Sequence, residues 1–112
     1  MRVSGQSMAP ILKAGELVLV DERAYGRRAP RRGEVVAATP SALDGMPIVK
    51  RLAGLPYDQV ILGGRRRLLG EDQFFLLGDH AGHSVDSRTF GPVCLAELMG
   101  PTPLRVWPWG ML

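Results

Sequence analysis

A single cysteine, Cys94, stands in the chain, so no disulfide framework can form within it. Cys94 lies in the apolar stretch G-P-V-C-L-A, the setting of a buried, inert thiol. No apolar run approaches the roughly 20 residues that cross a bilayer as a helix. The opening M-R-V-S-G-Q lacks the apolar core of a secretory signal. The chain therefore reads as soluble, with at most peripheral membrane contact. Aromatic residues make up only 6%. None is interleaved with the arginine runs R-R-A-P-R-R (27–32) and R-R-R (65–67). Single-stranded nucleic acid is bound by basic grooves that also carry aromatic stacking platforms. The net charge of +3 is thus read as solvated arginine loops, and no nucleic-acid partner is expected. Lysine is scarcer still, with Lys13 and Lys50 the only two among 14 Lys+Arg.

Glycine and proline are plentiful, at 14 and 9 in 112 residues, and 46% of the chain is hydrophobic. That balance favours short strands and many turns over long helices. Strands are expected at E-L-V-L-V-D (16–21), E-V-V-A-A (34–38), P-I-V-K-R-L (47–52) and F-F-L-L-G-D (74–79). Q-V-I-L-G-G (59–64) and R-R-L-L-G (66–70) flank Gly63-Gly64 as a hairpin. The tail, P-L-R-V-W-P-W-G-M-L (103–112), reads as a last strand with an aromatic end. The one helical candidate is C-L-A-E-L-M (94–99), between Pro92 and Gly100. No repeat or linker divides residues 1–112, so a single all-β domain, barrel or sandwich, with at most one short helix is expected.

Against this background Lys50 stands out, because a lysine is kept beside Arg51 in a chain that otherwise uses arginine. On a strand it shares a face with Ile48 and Leu52. Burial there would disfavour the ammonium. Neutrality near pH 7 requires a fall of roughly 3 pKa units, about 4 kcal/mol, and yields a general base. The alternative is a lysine that snorkels to water. A serine needs such a base to become a nucleophile. Ser7, between Gly5 and Pro10 in G-Q-S-M-A-P, is a candidate; it could equally be a turn serine. A third stretch, G-D-H-A-G-H-S-V-D-S-R-T-F-G (78–91), is crowded with functional groups. Asp86 and Arg88 can pair there, and Ser84 can hold a lysine amine. A rival reading of the same stretch is a metal site built from His80, His83, Asp79 or Asp86, and Cys94. His-x-x-His with a glycine between makes a loose clamp, so neither a metal nor another cofactor is expected.

Together the three stretches resemble signal peptidase I, a family of Ser-Lys serine peptidases. S-M-A-P-I-L (7–12) is similar to the family's S-M-x-P-T-L. K-R-L-A-G-L-P-Y-D (50–58) is similar to K-R-x-x-G-L-P-G-D. Residues 78–91 are similar to G-D-N-x-x-x-S-x-D-S-R-x-F-G, and R-R-G-E-V-V (31–36) to the intervening R-G-D-x-V strand. The resemblance implies a β-rich catalytic core with Ser7 as nucleophile and Lys50 as general base. It also implies that Ser84 orients the Lys50 amine and that the Ser7 backbone N–H is an oxyanion donor. Gly5 occupies the place where some members carry a second, hydroxyl donor; Ser4 lies one residue too early. Met8 would line the substrate groove, and Asp79, Asp86 and Arg88 would be structural supports. The substrate would be a precursor protein or peptide cut after small residues. Departures fall at Ile11, Tyr57 and His80, where the family pattern has Thr, Gly and Asn.

No membrane anchor precedes Ser7, which suggests a minimal, anchorless member. Small relatives that mature the nickel superoxide dismutase precursor are one such group. The chain is expected in the cytoplasm if it is complete, and on the outer face of the cytoplasmic membrane if an anchor precedes Met1. The sequence sets no oligomeric state. A self-cleaving regulator of the LexA type is disfavoured, because six residues before Ser7 hold no DNA-binding domain. A non-catalytic binding module is disfavoured by the presence of both nucleophile and base.

Overall fold

The computed structural model describes residues 1–80, 82 and 84–112. It is mostly antiparallel β. Its centre is a four-stranded sheet in the order β6-β3-β2-β7, with β2 Val35–Ala38, β3 Ile48–Gly54, β6 Phe75–Leu77 and β7 Leu98–Pro101. A second sheet has the order β1-β8-β9, with β1 Leu17–Leu19, β8 Leu104–Trp107 and β9 Gly110–Met111. β4 Gln59–Leu62 and β5 Arg65–Leu68 form a separate hairpin.

The central sheet is covered on both faces, which explains why all four residues of β2 are buried. Ladder pairs put side chains on a common face, and alternation sends neighbours to opposite ones. Val36, Ala38, Leu52 and Leu76 pack with Phe74, Val93 and Leu98 in one cluster. Val35 and Val49 pack with Val3, Met8, Leu12 and Val18 in the other. The second cluster draws the N-terminal segment onto the sheet.

The strands expected at 16–21, 34–38, 47–52, 59–64, 66–70 and 74–79 all occur, most of them shorter and β3 extended to Gly54. Gly63 and Gly64 both have positive φ, 62° and 76°, as a two-residue hairpin turn requires. The tail holds two strands rather than one. The helix expected at 94–99 is a correction. Leu95–Glu97 form a single 3-10 turn, and Leu98 begins β7. Glu97 closes that turn on the Cys94 N–H at 2.8 Å, while its carbonyl accepts from Thr39 N–H at 2.8 Å. Ladder pairing with Val36, Ala37 and Ala38 then claims the rest. The short α-helix is elsewhere, at Ser87–Phe90 (α1), capped by Asp86, whose side chain accepts from Arg88 N–H. Cys94 is half-buried rather than fully buried.

Candidate active site

Ser7 sits in a tight N-terminal turn. Ala9 N–H donates to the Gln6 carbonyl at 3.0 Å, and Leu12 N–H to the Met8 carbonyl at 2.9 Å. Gly5, with φ +74°, leads into it. Met8 and Leu12, 1% and 0% exposed, pin the turn against Val35 and Val49. The base of the loop is closed by Val3 N–H to Glu16 carbonyl, 2.8 Å, and Gly15 N–H to Val3 carbonyl, 2.7 Å. Met8 is therefore an anchor of the serine turn.

Lys50 projects from the middle of β3, opposite Val36 of β2. Its Nζ lies 2.5 Å from Ser7 Oγ. The two residues are 6% and 8% exposed. Of the two readings of Lys50, the buried one holds. Burial pushes its amine below the usual lysine range, and the negative charge of Asp86 opposes the fall.

The third wall is the exit from β6. His80 N–H donates to the Ser7 carbonyl at 2.7 Å. At Gly78 the chain passes so close that any Cβ would overlap Ser84 Oγ and lie 2.8 Å from the Ser7 carbonyl oxygen. Asp86 is fully buried. Its carboxylate accepts from Gly78 N–H at 2.9 Å, Ser84 Oγ at 2.7 Å, Arg88 N–H at 3.0 Å and Arg88 Nε at 2.9 Å. A second guanidinium nitrogen completes the Arg88–Asp86 ion pair. Burial pushes this carboxyl up, but the Arg88, Gly78 and Ser84 hydrogen bonds outweigh it and hold it at about 2. The carboxylate thus stays ionised beside Lys50.

Ser84 directs its hydroxyl hydrogen to Asp86, so toward Lys50 it could act only as an acceptor. Asp79 pairs with Arg51, 2.7 Å apart, and Arg51 also donates to the Gly33 carbonyl at 3.0 Å. Sequence reasoning missed Gly78. A glycine after an apolar run was visible, but the neighbour that requires it lies six residues further on. Among the described residues no group of three or more His, Cys, Asp or Glu is placed to hold a metal; His83, part of the rival metal reading, lies outside them. Nor is any helix of the described residues long and apolar enough to cross a membrane.

A small cleft of about 30 Å³ is lined by residues 1–4 on one side and residues 47–50 on the other, Lys50 among them. β6 pairs with β3 only from Arg51 onward, so the edge of β3 at 48–50 borders this cleft.

The family model for signal peptidase, peptidase S26, matches residues 1–68 and 62–107. Mitochondrial inner membrane protease subunit 1 of Schizosaccharomyces pombe is 33% identical, covering 94% of this chain and 71% of that protein. The subunit 1 of Xenopus tropicalis is 32% identical, covering 94% and 66%. Signal peptidase I of Bacillus caldolyticus is 27% identical over 144 positions, covering 96% and 78%. The chain spans about two thirds of the length of these two protease subunits. In fold, it is similar to the crystal structure of a signal peptidase I from Enterococcus faecalis, with a TM-score of 0.52 and 24% identity over 66% of this chain and 97% of that one. With a family match running across most of its length and relatives at a third identity, the chain belongs to the signal peptidase family, peptidase S26.

Proposed function

We propose that Ser7 and Lys50 are the catalytic dyad of a serine endopeptidase that removes a leader or pro-segment from a precursor protein. The observation that carries this reading is the 2.5 Å approach of Lys50 Nζ to Ser7 Oγ in a buried setting. A neutral Lys50 amine takes the Ser7 hydroxyl proton as Oγ attacks the scissile carbonyl. The resulting oxyanion is met by the Ser7 backbone N–H. The lysine ammonium then delivers its proton to the leaving amine, and the acyl-serine remains. In the second half Lys50 deprotonates water, which attacks the ester, and the proton returns to Ser7 Oγ. Asp86 stabilises the ammonium present between these steps. It must not hold the proton in the resting state, and burial of Lys50 opposes that.

The substrate would lie extended along the edge of β3 at 48–50, adding a strand to the sheet. Small side chains just before the cut are what the resemblance to signal peptidase I implies. Trp107, Trp109 and Met111 are 63%, 71% and 83% exposed. Their amphipathic rings and thioether suit peripheral contact with a lipid surface.

The test is digestion of a diverse peptide library by the folded protein, with Ser7→Ala and Lys50→Ala beside it. Cuts after small residues that vanish in both variants are expected. A folded protein that makes no cuts, or a Ser7→Ala variant that keeps them, overturns the reading.

A further inference from the structure

The turn that carries Ser7 is also held from the far end of the sequence. Arg105, on β8, has its guanidinium at the meeting point of three elements. NH1 donates to the Ile11 carbonyl at 3.2 Å, across 94 positions of chain. The same nitrogen is 3.4 Å from Glu16 Oε2, and Glu16 Oε1 accepts from the Lys13 N–H at 2.6 Å. Nε donates to the Pro108 carbonyl at 2.5 Å. The guanidinium packs against Gly110 of β9, where an added Cβ would be 2.8 Å from Arg105 NH2.

We infer that Arg105 is a positioning residue for the nucleophile, acting through the exit of the Ser7 turn. The inference rests on the Ser7–Lys50 reading above. The turn is fixed at its base by the Val3–Glu16 backbone pair and in its middle by the burial of Met8 and Leu12. At its exit the residues on either side of buried Leu12 face outward: Ile11 is 39% exposed, and Lys13 is exposed as well. There the charge-assisted bonds of Arg105 and Glu16 supply what burial does not. A planar guanidinium can serve all three acceptors at once, and a lysine ammonium is too compact to reproduce the fork. Gly110 belongs to the device, since a side chain there displaces the guanidinium. Because the same cation grips Pro108, the serine turn and the β8–β9 turn are held as one unit.

Nucleophile placement matters steeply, since an ångström of displacement can cost on the order of 10²-fold in rate. Arg105→Ala and Arg105→Lys are each expected to lower kcat by about tenfold or more, with KM within about twofold. Millimolar guanidinium should restore part of the Arg105→Ala rate, and an equal concentration of sodium should not. Gly110→Val, which keeps the arginine, should reproduce the loss without rescue. A control that does not depend on cleavage is amide hydrogen exchange. The Leu12 N–H, bonded to Met8 within the turn, should exchange faster in Arg105→Ala, while Leu52 and Leu76 in the core stay protected. If wild type shows Ser7-dependent cleavage but Arg105→Ala keeps its kcat, this inference alone is wrong. If Leu12 stays as protected as in wild type, it is wrong whatever the protein cleaves. Cuts that survive in Ser7→Ala instead strike the dyad reading, and the exchange experiment still decides whether Arg105 holds the turn.

Discussion

At the scale of single residues, the scarcity of lysine is what made Lys50 legible. A chain that places arginine almost everywhere else, including the next position, keeps the one cation that can lose its proton at useful pH. Lys50→Arg should therefore be inactive while remaining folded, as judged by circular dichroism and peptide cleavage. Cleavage by wild type should rise as pH climbs through the lowered pKa of Lys50, because only the neutral amine accepts the Ser7 proton. In Asp86→Asn the opposing charge is gone, and the rising limb should move to lower pH. A limb that stays put would separate Asp86 from the dyad. Tyr57 gives a second residue-scale case. It stands where the family pattern has glycine, and its φ is 69°. A non-glycine residue in that region is strained by about 1–2 kcal/mol, part of which a glycine returns as unfolded-chain entropy. Tyr57 is 66% exposed, so few contacts are lost on its removal. Tyr57→Gly should raise stability by about 0.5–1 kcal/mol, read from the urea midpoint.

At the scale of elements, alternation and turn residues located β1 to β6, because each strand shows either a continuous apolar run or a glycine-marked end. The stretch 94–99 was misleading. Leu95, Ala96, Glu97, Leu98 and Met99 are good helix formers, but β7 is required by β2, a strand with both edges paired and both faces buried. Long-range pairing overrode local preference, and nothing within six residues could announce it. The hidden helix α1 failed for the opposite reason. Four residues are too few to show periodicity, and Asp86 doubles as its cap and as the ligand of Arg88. The junction of β6 with the third stretch shows the same limit at Gly78. Gly78→Ala inserts a methyl group between Ser84 and the Ser7 carbonyl, a place with no room to yield. A loss of about 1–3 kcal/mol is expected from such overpacking, and cleavage should fall further than the folded fraction does. An Ala variant with wild-type activity would mean that Ser84 and the serine turn are not held as described.

At the scale of the whole molecule, the buried ionisable groups set how stability follows pH. Asp86 is held at about 2 against an ordinary 3.8. Its folded pKa is lowered, so its contribution is complete above pH 4 and is lost as pH falls toward 2, roughly 2 kcal/mol in all. Glu34, Asp58 and Glu97 are also lowered and add to the same acid limb. Lys50 carries the opposite kind of balance. Its pKa is lowered below 10.5, so below that depressed value the fold bears the whole cost of a buried ammonium. Between the folded value and 10.5 the unfolded chain binds more protons, and stability rises with pH. Tyr25 sets the upper bound. Burial and the neighbouring Glu34 raise its pKa far above the ordinary 10.0. Above pH 10 the unfolded chain ionises where the folded one cannot, and stability declines. The maximum should therefore lie on the alkaline side of neutrality. Urea midpoints measured from pH 2 to 11 test each limb separately. Asp86→Asn should flatten the fall below pH 4, Lys50→Met should remove the rise above neutrality, and Tyr25→Phe should postpone the final decline. If Lys50→Met keeps the alkaline rise, the ammonium is not paying a burial cost, and the base on which the proposed chemistry depends is fully protonated at working pH.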